Sequence, residues 1–321
     1  NARQDIYYGN YFKHNFIMKI LVYESITANY KNAQNSISEE TYNDYKSLLK
    51  SGEDMRTQLI LDLKKNPKIK ILIGNHMAGE DQTSYLQRIK SKIDAAWVIA
   101  PESNGELMHC FSILKNKIWI GSSYEAIKIT SSKKLTKEIL KQSLIKFPKT
   151  LKPHQIHFKS DNYIVKPDDG AGSSETFKLK NITNINDLKF FYKNPKNLII
   201  EEWIEGNPMS ISLICNSGSA EIISINQQII RINSFGKILY SGIKHLDLKK
   251  HAFIIDFFQN KIINNVLKFI PGLNGYVGID FILTKNQSIY VIEINPRLTC
   301  SYIGLSNFLK QNIALKILEC I

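Results

Sequence analysis

The chain has 321 residues, a formal net charge of +13, 43% hydrophobic residues and 22% charged residues. That length exceeds what one core usually serves, so two or three lobes are expected. The apolar content excludes a disordered chain, and the modest Gly and Pro content excludes a fibrous or low-complexity one. The charge raises nucleic-acid binding as a first question. Only five of the 42 basic residues are arginine: Arg3, Arg56, Arg88, Arg231 and Arg297. Arginine is the usual reader of guanine edges and phosphate forks. No basic block reaches five in a row and no zinc-finger or basic-zipper spacing is present. The excess reads as a lysine-rich solvated surface, and no nucleic-acid partner is expected. Cys110, Cys215, Cys300 and Cys320 form no CxxC or Cys/His cluster, which argues against zinc and suits a reducing, cytoplasmic setting. No apolar run approaches the roughly 18–20 residues of a membrane helix. Residues 1–17 carry charge and no apolar core, so they read as an extension or tag and not as a signal peptide.

In chain order, Lys19 to Tyr23 reads as a buried strand, and 26–44 as polar loop in which helix stays open. Leu48, Leu49, Met55, Leu59, Ile60 and Leu63 recur at helical spacing and predict a helix over 41–65. Strands at 69–74, 95–100 and 118–121 alternate with helices at 85–93 and 106–114. This alternation predicts a parallel α/β sheet over 18–125. Ligands gather at the carboxyl ends of such strands, where Glu24, Asn75, Glu102 and Ser122 stand. A lysine-rich helix spans 132–144. A strand at 163–166 runs into the Gly-dense stretch 167–174, with a return strand at 177–179. Another strand covers 198–203. Strands at 209–215 and 220–226 pair around Asn216-Ser217-Gly218. A helix over 252–269 precedes a hairpin of 276–283 and 288–294, and 306–320 is helical. The second half is therefore of the α+β type.

Three constellations carry chemistry. In the closing hairpin, Asp280 and Glu293 are 13 residues apart. A turn near Asn286-Gln287 sets them opposite each other on neighbouring strands. Glu293 and Asn295, two apart, share one face. Three oxygen donors in apolar sequence suit magnesium, which keeps positions open for phosphate oxygens. Second, Lys166 precedes a Gly/Ser loop whose backbone N–H groups can cradle phosphate, although no Walker A pattern is present. Third, Glu201-Glu202-Trp203-Ile204-Glu205 forms a strand edge able to read an adenine through its backbone.

Together, and in this order, these features resemble the ATP-grasp superfamily of carboxylate–amine ligases. The resemblance implies an α/β pre-ATP-grasp domain (18–125), a small lid (126–202) and a C-terminal α+β domain (203–321), with ATP between the last two. It implies that Lys133 and Lys166 are the ATP lysines. The family's DKxxT is here Ser132-Lys133-Lys134-Leu135-Thr136, which leaves Lys134 as a competing assignment. Gly170, Ala171, Gly172 and Ser173 resemble the phosphate loop, and Glu201, Glu202 and Ile204 the adenine hinge. Glu205 is the candidate for the ribose. Asp280, Glu293 and Asn295 resemble a two-magnesium triad, which manganese could also fill. The arginine that some relatives place two residues before the metal aspartate is Gly278 here, so Arg231 or Arg297 is expected to replace it.

The strings AWVIAPES, GSSYEAI, VKPDDGAGS, Gln227-Gln228, GYVGIDFILT and VIEINPRLTCSYIGL resemble the tyramine–glutamate ligase branch, which serves methanofuran-type cofactors. That resemblance implies an amide formed from the glutamate γ-carboxylate and tyramine through an acyl phosphate, with release of ADP. Glu24 and Glu102 are the candidates for holding an amino group, and Ser301, Tyr302 and Trp203 for lining the substrate slot. The alternatives are a ligase for another acid and amine, or a nucleotide-binding module without catalysis. Small-molecule partners and a homodimer are the expected associations, with no membrane.

Overall fold

A computed structural model describes residues 17–33, 39–151, 163–170, 175–179 and 197–320. Strand β1 (Met18–Glu24) has six of its seven residues buried. A strand covered on both faces reads as a continuous apolar run, which is why no alternation shows in its sequence. After β1 come short helices α1 (Ser25–Ala28) and α2 (Tyr30–Ala33), the long α3 (Glu39–Leu63), β2 (Ile69–Ile73), α4 (Gln82–Lys90), β3 (Ala95–Ile99), α5 (Glu106–Leu114) and β4 (Ile118–Trp119). The four strands are parallel, in the order β2-β1-β3-β4. Ile20, Val22, Trp97 and Ile99 point to one side, against Met55, Leu59 and Leu63 of α3. Leu21, Tyr23, Ala96 and Val98 point to the other, against Leu86, Leu107 and Cys110 of α4 and α5. Period-2 alternation is thus present in three dimensions although both sets are apolar.

Helices α6 (Tyr124–Thr130) and α7 (Lys133–Ile139) lead to a small antiparallel sheet. It contains β5 (Tyr163–Pro167), β6 (Phe177–Leu179) and β7 (Leu198–Glu202) in the order β6-β5-β7. Then follow β8 (Asn207–Asn216), β9 (Ser219–Ile232) and β10 (Ile238–Leu246). Helix α8 runs through Ala252–Phe257, a π-helical stretch Phe258–Ile263 and Asn264–Phe269. The chain closes with β11 (Gly275–Leu283), β12 (Ile289–Asn295), α9 (Leu305–Leu309) and α10 (Ile313–Leu318). The large sheet is antiparallel, in the order β10-β9-β8-β11-β12. Its apolar face, with Ile211, Leu213, Val277, Ile279 and Phe281, packs on Phe258, Ile262 and Val266 of α8. The opposite face carries Ser210, Ser212, Asn226, Gln228 and Asp280. Three of these, Ser210, Ser212 and Asn226, are almost fully buried. A sheet face this polar and this covered marks where a ligand site can form.

Two stretches differ in detail from the sequence reading. Residues 26–44 combine loop with helix: α1 and α2 lie in this stretch, and α3 begins at Glu39, ahead of the expected 41. Glu24 caps α1 by accepting the Thr27 N–H, a signal hidden by the polar composition. Strand β10 has no counterpart among the predicted elements. Its burial pattern mixes half-buried and exposed residues because it walls a cleft and does not cover a core. Among the described residues no helix is long and apolar enough to cross a membrane.

Candidate active site

The closing hairpin has the expected register. Asp280 pairs with Glu293 and Gly278 with Asn295, while Phe281 pairs with Val291. The step from 293 to 291 leaves Ile292 as an extra residue, a β-bulge. The bulge lets both Ile292 and Glu293 face the same cleft, where strict alternation would have turned one of them away. Asn295 Nδ2 donates to Asp280 Oδ2 at 3.2 Å, and Gln228 Nε2 donates to Asp280 Oδ1 at 2.9 Å. Burial, and then the Glu293 charge, push the Asp280 carboxyl well above the usual carboxylate range. Burial works against Glu293 too, but the Lys133 ammonium, 3.3 Å away, holds its carboxyl below the usual range. Two carboxylates facing each other, with the amide oxygen of Asn295 beside them, form a hard oxygen donor set whose crowded charge a divalent cation would relieve. The residues present therefore fit magnesium.

The cleft above them has a volume of about 660 Å³ and is walled by α3, β5, β7, β9, β10, β11 and β12. Lys133 and Lys166 line it and are buried. Lys134 is exposed and offers only its backbone N–H, to Asp168 Oδ1. Of the two competing lysines, the geometry thus favours Lys133. Its Nζ also donates to Gly170 O at 2.8 Å. Ala171, Gly172 and Ser173 lie outside the described residues. Lys166 Nζ is 2.8 Å from Glu201 Oε2, and Lys137 Nζ bonds Glu201 Oε1 from the other side. Burial alone would raise the Glu201 carboxyl; Lys166 and Lys137 override it and hold it below its ordinary value. Glu202, Trp203 and Ile204 continue the wall. Glu205 is not on it: the residue is exposed, accepts from Trp203 Nε1 at 2.6 Å and pairs with Lys178. As placed, it is turned from the ribose role expected of it.

The same cleft is also lined by Glu24, Ile26, Leu48, Met55, Ile99 and Tyr240. Glu24 is 2% exposed, and burial pushes its carboxyl pKa up. A Cβ on Gly52 would stand 2.6 Å from the Glu24 carboxyl carbon, so only glycine lets α3 lie this close. Arg297 reaches the cleft, and its Nε and Nη2 donate to Glu102 Oε1 and Oε2 at 2.9 and 2.7 Å. Glu102 is thereby the bidentate partner of Arg297 and not a free anchor for a substrate amine. Arg231 lies at the exposed rim of the cleft. At Gly278 a Cβ would press on Thr299 Cγ2 at 3.0 Å, so Thr299 fills the place where an arginine side chain would start. Ser301 lines the cleft, but Tyr302 does not. The Tyr302 ring lies in the core and its hydroxyl donates to Asp62 Oδ2 at 2.6 Å, so it is no wall of a substrate slot.

Two residues with clear structural work were not singled out in the sequence. Lys137 stands one helical turn after Lys133, and that i, i+4 spacing was the available signal. Asp168 bonds the first turn of α7, 35 residues away, and no local pattern could show that.

Comparison with known proteins fits this geometry. The family model described as the ATP-grasp domain matches residues 130–301, more than half of the chain. The chain belongs to the ATP-grasp family. The model of the pre ATP-grasp 3 domain matches residues 63–127 of the same ATP-grasp chain. The tyramine–L-glutamate ligase of Methanocaldococcus fervens is 32% identical over 268 residues, covering 81% of this chain and 74% of the relative. That of Methanocaldococcus jannaschii is 30% identical, covering 81% and 70%. Among solved structures, an ATP-grasp superfamily protein from Archaeoglobus fulgidus superposes with a TM-score of 0.66 at 23% identity, covering 94% of this chain and 87% of the other. The D-alanine–D-alanine ligase of Bacillus anthracis in complex with ATP gives a TM-score of 0.59 at 17% identity, covering 94% and 99%. These two likenesses support the ATP-grasp fold.

Proposed function

We propose that this ATP-grasp chain is an ATP-dependent ligase that joins a carboxylate to an amine, with glutamate giving its γ-carboxylate and tyramine its amine. The observation that carries this reading is the arrangement of one cleft. Phosphate-type cations, a metal-type carboxylate pair and a buried carboxylate with apolar neighbours all line it.

A carboxylate and an amine do not condense unaided in water. The carboxylate oxygen attacks the γ-phosphorus of ATP and ADP leaves, giving an acyl phosphate. The ammonium of the amine first gives up a proton, its nitrogen lone pair then attacks the acyl carbon, the C–O bond to phosphate breaks, and the nitrogen loses a second proton to give the neutral amide. The protein's work is to position the groups and to offset charge on the transferred phosphoryl. Asp280, Glu293 and Asn295 would hold magnesium, which when bound draws charge from the phosphate oxygens. Lys133 and Lys166 bind the nucleotide phosphates. The backbone from Glu201 to Ile204 receives the adenine. Arg297, fixed by Glu102, keeps N–H donors for the acyl phosphate or the substrate carboxylate, and Arg231 guards the rim. Glu24 holds the cationic amine in a slot of Ile26, Leu48, Met55, Ile99 and Tyr240. The stretch 126–202 acts as the lid, closing over the acyl phosphate to exclude water.

The test is purified chain with ATP, magnesium, glutamate and tyramine. ADP release that needs both substrates, with a product of the mass of γ-glutamyltyramine, is expected. ADP release with another acid–amine pair and none with this one would overturn the substrate assignment, and no ATP-dependent coupling with any pair would overturn the ligase.

A further inference from the structure

Glu201 is completely buried, yet two lysines share its single charge. They are not equivalent. Lys166 lines the cleft and meets Glu201 alone among the described residues. Lys137 is not part of the cleft wall. Its ammonium bonds Glu201 Oε1 and also donates to Pro148 O at 2.9 Å and Thr150 Oγ1 at 3.1 Å. An ammonium has three N–H donors, so all of those on Lys137 are committed. One carboxylate with two ammonium groups leaves one positive charge over, and only Lys166 stands where a ligand can use it.

We propose that Lys137 is a positioning residue of the nucleotide site: as the standing counter-charge of Glu201, it leaves Lys166 available to a polyphosphate. This rests on the ATP reading above. The reason is the cost of a lone buried charge. Breaking a buried ion pair by withdrawing one partner is strongly unfavourable, because the other charge stays unpaired. Without Lys137, each step of Lys166 toward phosphate would abandon Glu201. With Lys137 in place, Glu201 keeps a full partner and the move leaves nothing uncompensated. The placement comes from α7 itself. Lys133 and Lys137 are four residues apart and share one face, so one helix delivers a cation to Glu293 and another to Glu201.

The experiment measures the affinity of the full chain for ATP and for adenosine. Adenosine lacks the phosphates and reports the base site alone. In Lys137→Met, ATP affinity should fall by about tenfold or more, the scale of one charge-assisted hydrogen bond. Adenosine affinity should not change. Adding Glu201→Gln to Lys137→Met removes the orphaned charge and should restore ATP binding. Lys137→Arg should bind ATP like the unaltered chain. If circular dichroism shows Lys137→Met unfolded, Lys137→Gln is measured by the same criteria. Unchanged ATP affinity in the neutral variant would overturn the proposal, and so would an equal loss for ATP and adenosine. An unaltered chain that binds no ATP would instead overturn the functional reading, and this proposal with it.

Discussion

Asp168 spends its carbonyl and both carboxylate oxygens on one joint. Its carbonyl accepts the Lys133 N–H at 3.1 Å, and its Oδ1 accepts the Lys134 N–H at 2.8 Å. The other two acceptors that the start of α7 needs are local: Ser132 Oγ takes the Leu135 N–H, and the Ile129 carbonyl takes the Ser132 N–H. The Ser132 hydroxyl donates in turn to Asp168 Oδ2 at 2.6 Å. All four N–H groups left over at the start of a helix are thus satisfied, half locally and half from the loop after β5. The aspartate missing from the DKxxT pattern is replaced in space by one from another part of the chain. Asp168→Ala should therefore cost about 1–2 kcal/mol, the usual worth of a capping side chain, seen as a lower melting temperature. It should also weaken ATP binding, because the turn that aims Lys133 is released; an unchanged ATP titration would argue against that coupling. Asp280→Asn is the contrasting case. Asparagine keeps the shape and one acceptor, and its NH2 can bond Gln228 or Asn295 once that amide turns its oxygen inward, so folding should survive while turnover drops by about 100-fold or more, as expected when a charged group serves the transition state. Steady-state rates and a melting curve on the same preparation separate the two effects. The Asp280–Glu293 pairing was legible in the sequence because a hairpin maps spacing onto register. The Asp168–Ser132 bond was not, since its partners meet only through tertiary packing.

Among the elements, α3 links the most parts. Its buried face packs on β1 and β3, and its Gly52 lets it lie against Glu24. Near its end Asp62 is fully buried and collects Tyr302 Oη and Ser306 Oγ, each at 2.6 Å, and Gln58 Nε2 at 3.1 Å. Its carbonyl takes Asn312 Nδ2 at 2.8 Å. The Asp62 carboxylate thereby ties α3 to the segment after β12 and to α9, and its carbonyl ties it to the start of α10. Burial, and then Asp62, push the Tyr302 hydroxyl well above its ordinary pKa, so it stays a donor. Tyr302→Phe removes that donor and leaves Asp62 short of a partner, which should cost about 1–3 kcal/mol. The loss should appear in chemical denaturation, with ATP affinity intact; a variant of normal stability and lost ATP binding would return Tyr302 to the cleft. The tail, expected to be helical over 306–320, is two short helices, α9 and α10. Their attachment was not legible in the sequence, because the SYIGL string looks the same whether its tyrosine faces a substrate or a buried aspartate. Strand β10 escaped for a related reason: ILYSGIKHL serves a cleft wall, so its residues carry neither a core alternation nor a solvent one.

At the scale of the whole molecule, charge and packing divide differently. Most cations at the cleft meet an acid on the spot: Lys133 meets Glu293 and Arg297 meets Glu102, while Lys166 shares Glu201 with Lys137 behind the wall, which leaves one positive charge over. Most of the excess of +13 therefore lies elsewhere on the molecule and does not define the site. Packing is continuous between the four-stranded and five-stranded sheets. Val22 and Trp97 of the first, Ile214 and Tyr276 of the second, and Leu298 and Ile317 near the end share one core. The bidentate Arg297–Glu102 pair crosses the same boundary. The three-stranded sheet is different. Its described core holds three buried residues, Val165, Leu179 and Ile200. What joins it to the rest is mainly polar: Lys178 N to Gly236 O at 2.7 Å, Ile238 N to Thr176 O at 2.8 Å, Leu151 N to Ile200 O at 2.8 Å and Asn104 N to Asp169 Oδ2 at 2.9 Å. Polar joints exchange for water at small cost, whereas opening the shared apolar core would expose large side chains. The small sheet is therefore the part expected to move as a lid, and a nucleotide held between Lys166 and the Asp280–Glu293 end of the cleft should hold it down. Hydrogen exchange in the absence of nucleotide should show faster opening of amides in 163–167 and 198–202 than in β8 and β11. A non-hydrolysable ATP analogue with magnesium should slow exchange in the first group and leave the second unchanged. Equal protection of both groups with the analogue bound would mean that the cleft closes as one body, and the lid assignment of 126–202 would fall.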